Sequence, residues 1–383
     1  MSQAPALQQI PAEVVNLADF EAHARARMEA AAWAYLSGGA ADELTLRANR
    51  AAWDELRLLP RVLRELGGGH TRVTLLGREC PLPVLLAPIA YQRLAHPDGE
   101  LACAYAAAAQ GAGMVLSAQA SVPMEGVAQA LRAEPARGPL WFQLYWRDDP
   151  GFMRELLRRV EAAGFEALVL TVDAPVHGAR DRERRAGFKL PDDVRAVNLG
   201  GRKRPLDLAP GQSALFDGLM PRAATWAQLD WLRAESALPL LLKGVAHPDD
   251  AREARRRGAA GLIVSNHGGR TLDTLPATAE LLPLLRDALG PGYPLLVDGG
   301  IRRGTDVLKA LCLGADAVLL GRPYVHALAT AGALGVAHAL RLLRDEFEIA
   351  MALSGCRTVA DATRELLWPQ ACRDARSPMP AGK

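Results

Sequence analysis

The stretch YPLLVDGGIRRGTDVLKALCLGADAVLLGR, residues 293–322, contains two short apolar runs joined by a segment of helical length. The first run, residues 293–300, ends in a glycine pair, and the second, residues 316–322, ends in Gly321 and Arg322. Residues 304–313 between them are typical of an amphipathic helix. This order predicts a βαβ unit with two parallel strands.

The same alternation recurs along most of the chain. Six more apolar runs of strand length occupy residues 83–90, 113–119, 140–145, 167–173, 238–245 and 261–267. Helix-sized segments follow many of them, at residues 100–110, 150–163 and 248–257. Eight strands in this alternation predict an α/β fold of the closed TIM (β/α)8 barrel type.

We predict one domain over residues 1–383, with the barrel at residues 81–330. Residues 1–80 are expected to form a helical N-terminal extension, with a short hairpin around residues 67–77. Residues 331–383 are expected to form C-terminal helices. Between Asp173 and Leu238 lie over sixty residues, a length that favours a mobile lid over the barrel mouth, at about residues 176–225.

Composition excludes several function classes. The formal net charge is only +2, and the arginine clusters lie at helical spacing, which favours solvated helix faces over nucleic-acid binding. The five cysteines never form a CxxC pair, so we expect no disulfide framework, no zinc site and a reducing cytoplasm. The N-terminus lacks a secretory signal, and no run of eighteen apolar residues predicts a membrane span.

Polar residues follow nearly every predicted strand. In a parallel barrel the carboxyl ends of the strands share one face, where active sites lie, so these residues are candidates for one site. They include Ser117, Gln143, Thr171, Asp173, Lys243, Ser265 and Asp298. Caps and turns explain two or three such residues in any barrel, but not a full circle of them.

The last two strand ends combine glycine with arginine. Gly300 and Arg302 follow the seventh strand, and Gly321 and Arg322 follow the eighth, each just before a helix. Backbone N–H groups at a helix start and a guanidinium commonly bind phosphate in barrels. A tight turn between strand and helix is the alternative explanation of the glycines.

The middle strands end in neutral or cationic hydrogen-bond donors. Ser117, Gln143, Thr171 and Lys243 suit a polar ring system with carbonyls and ring nitrogens, and no His, Asp and Glu cluster has the spacing of metal ligands. Lys243 is costly to bury unless it faces an anion, so it is a candidate to stabilise charge formed in a reaction. Its alternative is a salt bridge to Asp298 or Asp173.

The sixth strand ends in VSNHGGR, residues 264–270. His267 can accept a proton near neutral pH, and Arg270 can bind a carboxylate, with Arg180 as a second cation. Asp173 is placed to orient a histidine. A structural histidine is the alternative, but several such groups at one face favour an active site.

The chain resembles the FMN-dependent 2-hydroxy acid oxidase and dehydrogenase family, which includes glycolate, lactate and mandelate oxidases. The resemblance runs from AYLSGGAADELTLRANR to RDEFEIAMALSGCRT, and LIVSNHGGRTLD is its most specific motif. Further matches are LLVDGGIRRGTDVLKALCLGADAVLLGRP, LAPIAYQRLAHPDGE, WFQLYW, LVLTVDAP and LLKGV.

The resemblance implies roles for individual residues. His267 matches the catalytic base, Asp173 the carboxylate paired with it, and Arg180 and Arg270 the arginines that bind the substrate carboxylate. Tyr35 and Tyr145 match two tyrosines that contact the substrate. The implied FMN contacts are Pro88, Ile89, Ala90, Ser117, Gln143, Thr171, Lys243, Ser265, Asp298, Gly300, Arg302, Gly321 and Arg322.

The resemblance also implies an activity, the oxidation of an (S)-2-hydroxy acid to the 2-oxo acid with O2 reduced to H2O2. Plant-type glycolate oxidases have a tryptophan where this chain has Gln119, and that substitution and the small Ala90 leave room for a substrate larger than glycolate. Lactate-oxidising members commonly have alanine at the position of Ala90, which favours an oxidase. Alternatives are a dehydrogenase with another acceptor, an oxidative decarboxylase of the lactate 2-monooxygenase type, and a flavin-binding barrel without turnover. Family members are usually homotetramers or octamers, so we expect one of these.

Overall fold

The computed structural model describes residues 5–200 and 207–369. Two strands, β1 (Val73–Leu75) and β2 (Arg78–Cys80), form an antiparallel hairpin, and eight parallel strands close into a barrel in chain order. The predicted TIM barrel is therefore confirmed. The barrel strands are β3 (Val84–Leu86), β4 (Gly113–Ser117), β5 (Leu140–Leu144), β6 (Ala167–Thr171), β7 (Leu240–Lys243), β8 (Gly261–Val264), β9 (Leu295–Val297) and β10 (Ala317–Leu320).

Several strands are shorter than the apolar runs that predicted them. β9 covers three of the eight residues predicted, because Gly299 and Gly300 have φ of +93° and +84° and turn the chain away. The hairpin also lies later than predicted, with Leu76 and Gly77 as its turn. Burial alone cannot define the end of β9, because the next residue, Asp298, is also buried.

The helices occupy the N-terminal extension and the barrel connections. Met28 separates the first two helices of the N-terminal extension, because it has extended backbone dihedrals of −95° and 145°. The helices are α1 (Phe20–Arg27), α2 (Ala30–Ser37), α3 (Leu44–Glu55), α4 (Gly99–Gln110), α5 (Met124–Arg132), α6 (Pro150–Ala163), α7 (Asp181–Arg185), α8 (Trp226–Glu235), α9 (Pro248–Arg256), α10 (Thr278–Leu289), α11 (Gly304–Cys312) and α12 (Arg322–Ser354).

The long connection after β6 contains short helices. It includes α7, a π-helix at Ala214–Leu219, a 3-10 helix at Met220–Arg222, and α8. The predicted lid, about residues 176–225, includes residues 201–206, which lie outside the described part of the chain. Its mobility stays a prediction.

Helix α12 follows the last barrel strand and continues for 33 residues, with a kink at Ala331 and Gly332. By length and hydropathy alone it could cross a membrane, yet 67% of its most apolar window is buried inside the protein. Packing against α1 and α4 explains this apolar composition. The absence of a membrane span stays a prediction.

The barrel interior is apolar at its lower end and polar at its upper end. Side chains alternate along a strand, so the residue two positions after an interior residue also points inward. Val115, Trp141 and Leu241 belong to the interior apolar cluster, which the hairpin residues Leu75 and Cys80 complete. The inward positions that follow along the strands are polar: Ser117, Gln143, Thr171, Lys243, Ser265 and Asp298.

Candidate active site

The upper barrel layer contains a chain of buried hydrogen bonds. Ser117 Oγ donates to Gln143 Oε1 at 3.1 Å, and Gln143 Nε2 donates to Thr171 Oγ1 at 3.0 Å. The register of the strands explains these contacts, because Ser117 lies beside Gln143 on neighbouring strands. All three side chains are buried and still offer further donor and acceptor positions to a ligand.

Lys243 lies between Asp298 and Ser265. Its Nζ is 3.0 Å from Asp298 Oδ2 and donates to Ser265 Oγ at 2.8 Å. Burial acts to lower the pKa of Lys243, but the charges of Asp298 and Asp173 outweigh burial and raise it, so the ammonium stays charged. The salt bridge to Asp298 that the sequence offered as an alternative is therefore present. It holds the Lys243 ammonium beside the end of β9.

His267 and Asp173 form a partly buried pair. His267 Nδ1 is 2.8 Å from Asp173 Oδ1, and the side chains are 20% and 8% exposed. Burial lowers the pKa of His267, and Asp173 offsets only part of this effect, so the imidazole is neutral at neutral pH. Burial acts to raise the pKa of Asp173, yet the hydrogen bond to His267 brings it below its usual value. The Asp173 carboxylate accepts a hydrogen bond from the Nδ1–H of the neutral imidazole, which leaves the Nε2 lone pair free to act as a base.

Local backbone geometry holds this pair in place. The His267 N–H donates to Ser265 Oγ at 3.0 Å, and His267 has a φ of +55°, uncommon for a residue with a side chain. Gly244, directly after Lys243, has a φ of +104°, and a Cβ there would lie 2.4 Å from Asp173 Cβ. Only glycine leaves space for Asp173 beside that turn.

Two arginines and two tyrosines surround the pair. Arg270 Nη1 donates to the carbonyl oxygens of Tyr35 at 2.5 Å and Gly38 at 2.9 Å, and its guanidinium is 5.1 Å from the Tyr35 ring centre. Arg180 Nε donates to the Arg270 carbonyl at 3.3 Å. Burial and repulsion by Arg180 lower the pKa of Arg270 to about 10. Burial and the charge of Asp173 raise the pKa of Tyr145.

Aromatic contacts position Tyr35. The ring of Phe188 stacks on the Tyr35 ring at 4.5 Å between centres, and Tyr91 lies 6.2 Å away on a tilt. Phe188 belongs to the long connection after β6, so that connection reaches the site. Sequence reasoning missed Phe188, because one aromatic in a charged segment carries no periodic signal.

The residues predicted to contact a flavin ring lie at the same end of the barrel. Pro88, Ile89 and Ala90 follow β3 and are partly exposed. The Tyr91 N–H donates to the Gln119 carbonyl at 3.1 Å, which joins this loop to the end of β4.

Arg302 and Arg322 lie close to each other at the ends of β9 and β10. Arg322 Nη2 donates to the Gly38 and Gly268 carbonyls, and Arg302 Nη1 to the Ile301 carbonyl. No salt bridge among residues 5–200 and 207–369 includes either guanidinium. Burial, with repulsion by neighbouring arginines, lowers their pKa values to about 10 and about 9 respectively.

These cations fit an anionic group such as the FMN phosphate. Arg322 Nε is buried without a hydrogen-bond partner, and so is Asp298 Oδ1, which suits a ligand hydroxyl. A Cβ placed on Gly321 would meet no atom within 4 Å, so the chain leaves open space beside Arg322. Within the described residues, no three His, Cys, Asp or Glu side chains lie close enough to bind a metal.

The N-terminal extension supports the turn after β9. A Cβ on Gly300 would lie 2.2 Å from the Asn49 carbonyl oxygen, and Arg50 Nη1 donates to the Gly300 carbonyl at 2.7 Å. Arg50 also pairs with Asp306, whose carboxylate accepts from the Arg302 N–H. Sequence reasoning missed Asn49, Arg50 and Asp306 as supporting residues.

Comparison with known proteins agrees with this geometry. Residues 24–369 match the family model described as FMN-dependent dehydrogenase. The chain is 50% identical over 362 residues to an L-lactate oxidase of Alicycliphilus denitrificans, which covers 94% of this chain and 98% of the relative. It is 42% identical to glycolate oxidase 1 of Oryza sativa subsp. indica, covering 95% and 98% of the two chains.

Solved structures give the same result. A structure of mandelate oxidase with benzoyl-formic acid superposes with a TM-score of 0.82 at 43% identity, covering 92% of this chain and 98% of the other. The family match spans the barrel, the helices α2 and α3, and every site residue from Tyr35 to Arg322. The family resemblance expected from the motifs is confirmed, and the chain belongs to the FMN-dependent dehydrogenase family.

Proposed function

We propose that this protein uses FMN to oxidise an (S)-2-hydroxy acid to the corresponding 2-oxo acid, with O2 as the electron acceptor and H2O2 as the second product. The His267 and Asp173 pair, with arginines close by, is the observation that carries this proposal. A neutral imidazole and a cationic group suit a substrate that carries a carboxylate next to a hydroxyl-bearing carbon.

His267 acts as the base at its free Nε2 atom. It takes one proton, from the substrate carbon or hydroxyl, while a C2–H bond and an O–H bond break and the carbonyl forms. Asp173 stabilises the imidazolium that results, because a carboxylate 2.8 Å from Nδ1 favours the charged ring. When bound, FMN would supply the two-electron acceptor of this oxidation and pass the electrons to O2, which, with the second proton equivalent and the proton released from His267, would leave as H2O2.

Arg270 and Arg180 bind the substrate carboxylate, and the Tyr35 and Tyr145 hydroxyls contact the substrate oxygens. Burial keeps both phenols protonated, because the pKa of each is raised. They therefore act as hydrogen-bond donors at neutral pH. Such fixed donors and cations orient the C2–H bond and exclude alternative poses.

The barrel-mouth groups would hold FMN. Lys243 would face the negative charge of the reduced ring, and Arg302 and Arg322 would bind the phosphate. The remaining contacts would come from Pro88, Ile89, Ala90, Ser117, Gln143, Thr171, Ser265, Asp298, Gly300 and Gly321. The unpartnered atoms of Arg322 and Asp298 support this assignment.

We propose a substrate larger than glycolate, such as lactate or mandelate. Support comes from Gln119 and Ala90, and from the 50% identity to an L-lactate oxidase. Glycolate, lactate, mandelate and long-chain hydroxy acids should be added in turn to the purified protein without oxygen. We expect loss of the flavin's yellow colour with one of the larger acids, and one H2O2 per acid once oxygen is admitted.

The same assay separates the alternatives. Bleaching without H2O2 on aeration would indicate a dehydrogenase, and a shortened acid with little H2O2 would indicate an oxidative decarboxylase. A protein that binds FMN and is bleached by none of the acids would contradict the proposed function. A homotetramer or octamer in the cytoplasm completes the proposal, and light scattering tests the assembly.

A further inference from the structure

The first turn of α12 presents two side chains toward the end of α2. Arg322 and His326 are four residues apart, so they lie on one face of the helix. Arg322 Nη2 donates to the Gly38 carbonyl at 2.8 Å. His326 Nε2 lies 3.3 Å from Ser37 Oγ, and both side chains are buried.

A stacking contact fixes the same junction. The His326 ring lies 5.0 Å from the Trp33 ring, with 25° between the planes. Trp33 is one turn before Ser37 on α2, so His326 contacts two successive turns of that helix. One imidazole thus sets both the distance and the rotation of α2 relative to α12.

The end of α2 also binds Arg270, the arginine proposed to bind the substrate carboxylate. Arg270 donates to the carbonyls of Tyr35 and Gly38, and the Gly38 carbonyl therefore accepts from Arg270 and Arg322 together. The last carbonyls of a helix have no partner inside the helix and attract cations. A shift of this helix end would move both guanidiniums.

His326 acts as a neutral group. Burial, with the charges of Arg302 and Arg322, lowers its pKa to about 3. It therefore adds no cation for a bound phosphate. Its contribution at this junction is the bond to Ser37 and the stack on Trp33.

We propose that His326 is a positioning residue that links the FMN-phosphate subsite to the substrate-carboxylate subsite through the C-terminal end of α2. The proposal rests on the proposed function, because it assigns Arg322 to the cofactor phosphate and Arg270 to the substrate. It goes beyond that function because the affinity for FMN and the affinity for the substrate would both depend on His326, a residue that is assigned to neither ligand.

The test uses His326→Phe, which keeps an aromatic ring against Trp33 and removes the bond to Ser37. Ser37→Ala removes the other partner of the same hydrogen bond, and it replaces His326→Phe in the test if that variant does not fold. FMN affinity is measured by quenching of flavin fluorescence on the apoprotein. Affinity for pyruvate and benzoylformate is measured on the holoprotein from the change in flavin absorption, without turnover.

We expect each single variant to weaken both FMN and 2-oxo acid binding by about three- to tenfold, the range for one hydrogen bond. KM for the substrate should rise with little change in the limiting rate of flavin reduction. The double variant should add little to either single variant, because both remove one interaction. His338→Phe is the matched control, since His338 lies on the same helix and bonds to the Val14 carbonyl at 3.2 Å.

Equal affinities in His326→Phe and the unmodified protein would overturn the proposal, and so would weaker FMN binding with unchanged 2-oxo acid binding. A lower melting temperature with both affinities retained would likewise overturn it, because His326 would then be merely structural. An unmodified protein that binds no FMN contradicts the proposed function instead. The two failures are therefore distinguishable.

Discussion

The Asp173→Asn substitution tests the proposed base most directly. It keeps the size of the side chain and removes the charge that stabilises protonated His267 across 2.8 Å. Two unit charges about 4 Å apart interact by about 4 kcal/mol at an effective dielectric constant of 20. If that stabilisation is lost in the transition state, flavin reduction slows about a thousandfold. The assay is stopped-flow reduction of the bound flavin by the best substrate without oxygen.

The pH dependence gives a second, independent measurement. A base must be unprotonated, so flavin reduction should fall as the pH drops through the pKa of His267. Burial lowers the pKa of His267 by more than the Asp173 carboxylate raises it. Removing the Asp173 charge should therefore lower this pKa again, and the fall in rate at acid pH should move to lower pH. Asp345→Asn, an exposed carboxylate paired with Arg341 on α12, should change neither quantity. A plateau rate within about fivefold of the unmodified enzyme at equal FMN content would refute the reasoning.

Three further substitutions test other parts of the site. Arg322→Met should weaken FMN binding by about ten- to a hundredfold in a fluorescence titration, because a hydrogen bond to a charged group contributes about 1.5–3 kcal/mol. Gly244→Ala should lower both the melting temperature and the rate of flavin reduction, because its Cβ would lie 2.4 Å from Asp173 Cβ; equal values for both would contradict this. Phe188→Leu should raise the substrate KM several-fold at unchanged FMN content, because the stack on Tyr35 contributes about 0.5–1.5 kcal/mol; an unchanged KM would show that the stack does not position Tyr35.

Strand number and order could be predicted from the sequence, whereas strand ends could not. The apolar runs at residues 293–300 and 316–322 correctly placed β9 and β10. Parallel strands are buried on both faces, so each consists of an almost uninterrupted run of apolar residues. Where the chain leaves β9 depends on the dihedrals of Gly299 and Gly300. The turn packs against Asn49, more than two hundred residues away in sequence, where a Cβ on Gly300 would lie 2.2 Å from the Asn49 carbonyl oxygen.

The site was predictable where it lies at strand ends and unpredictable where it depends on contacts between distant segments. Period-two alternation places Ser117, Gln143 and Lys243 above the apolar interior, which a sequence can indicate. Phe188 and His326 are different, because each matters through contacts with α2: Phe188 stacks on Tyr35, and His326 contacts Trp33 and Ser37. No periodic pattern connects the segments that carry them, and only the folded chain brings them together.

The barrel alone does not complete this site. The charges at its mouth are mostly positive, and the pKa values of Arg270 and Arg322 are lowered because burial and neighbouring guanidiniums disfavour their charged forms. The end of α2 compensates in part, since the Gly38 carbonyl accepts from both. A carbonyl dipole holds a guanidinium in place without neutralising its charge, which leaves the cation able to bind an anion. A carboxylate at that position would neutralise both arginines and compete with substrate and phosphate. The N-terminal extension therefore orients the cations of the site and leaves their charge available to ligands.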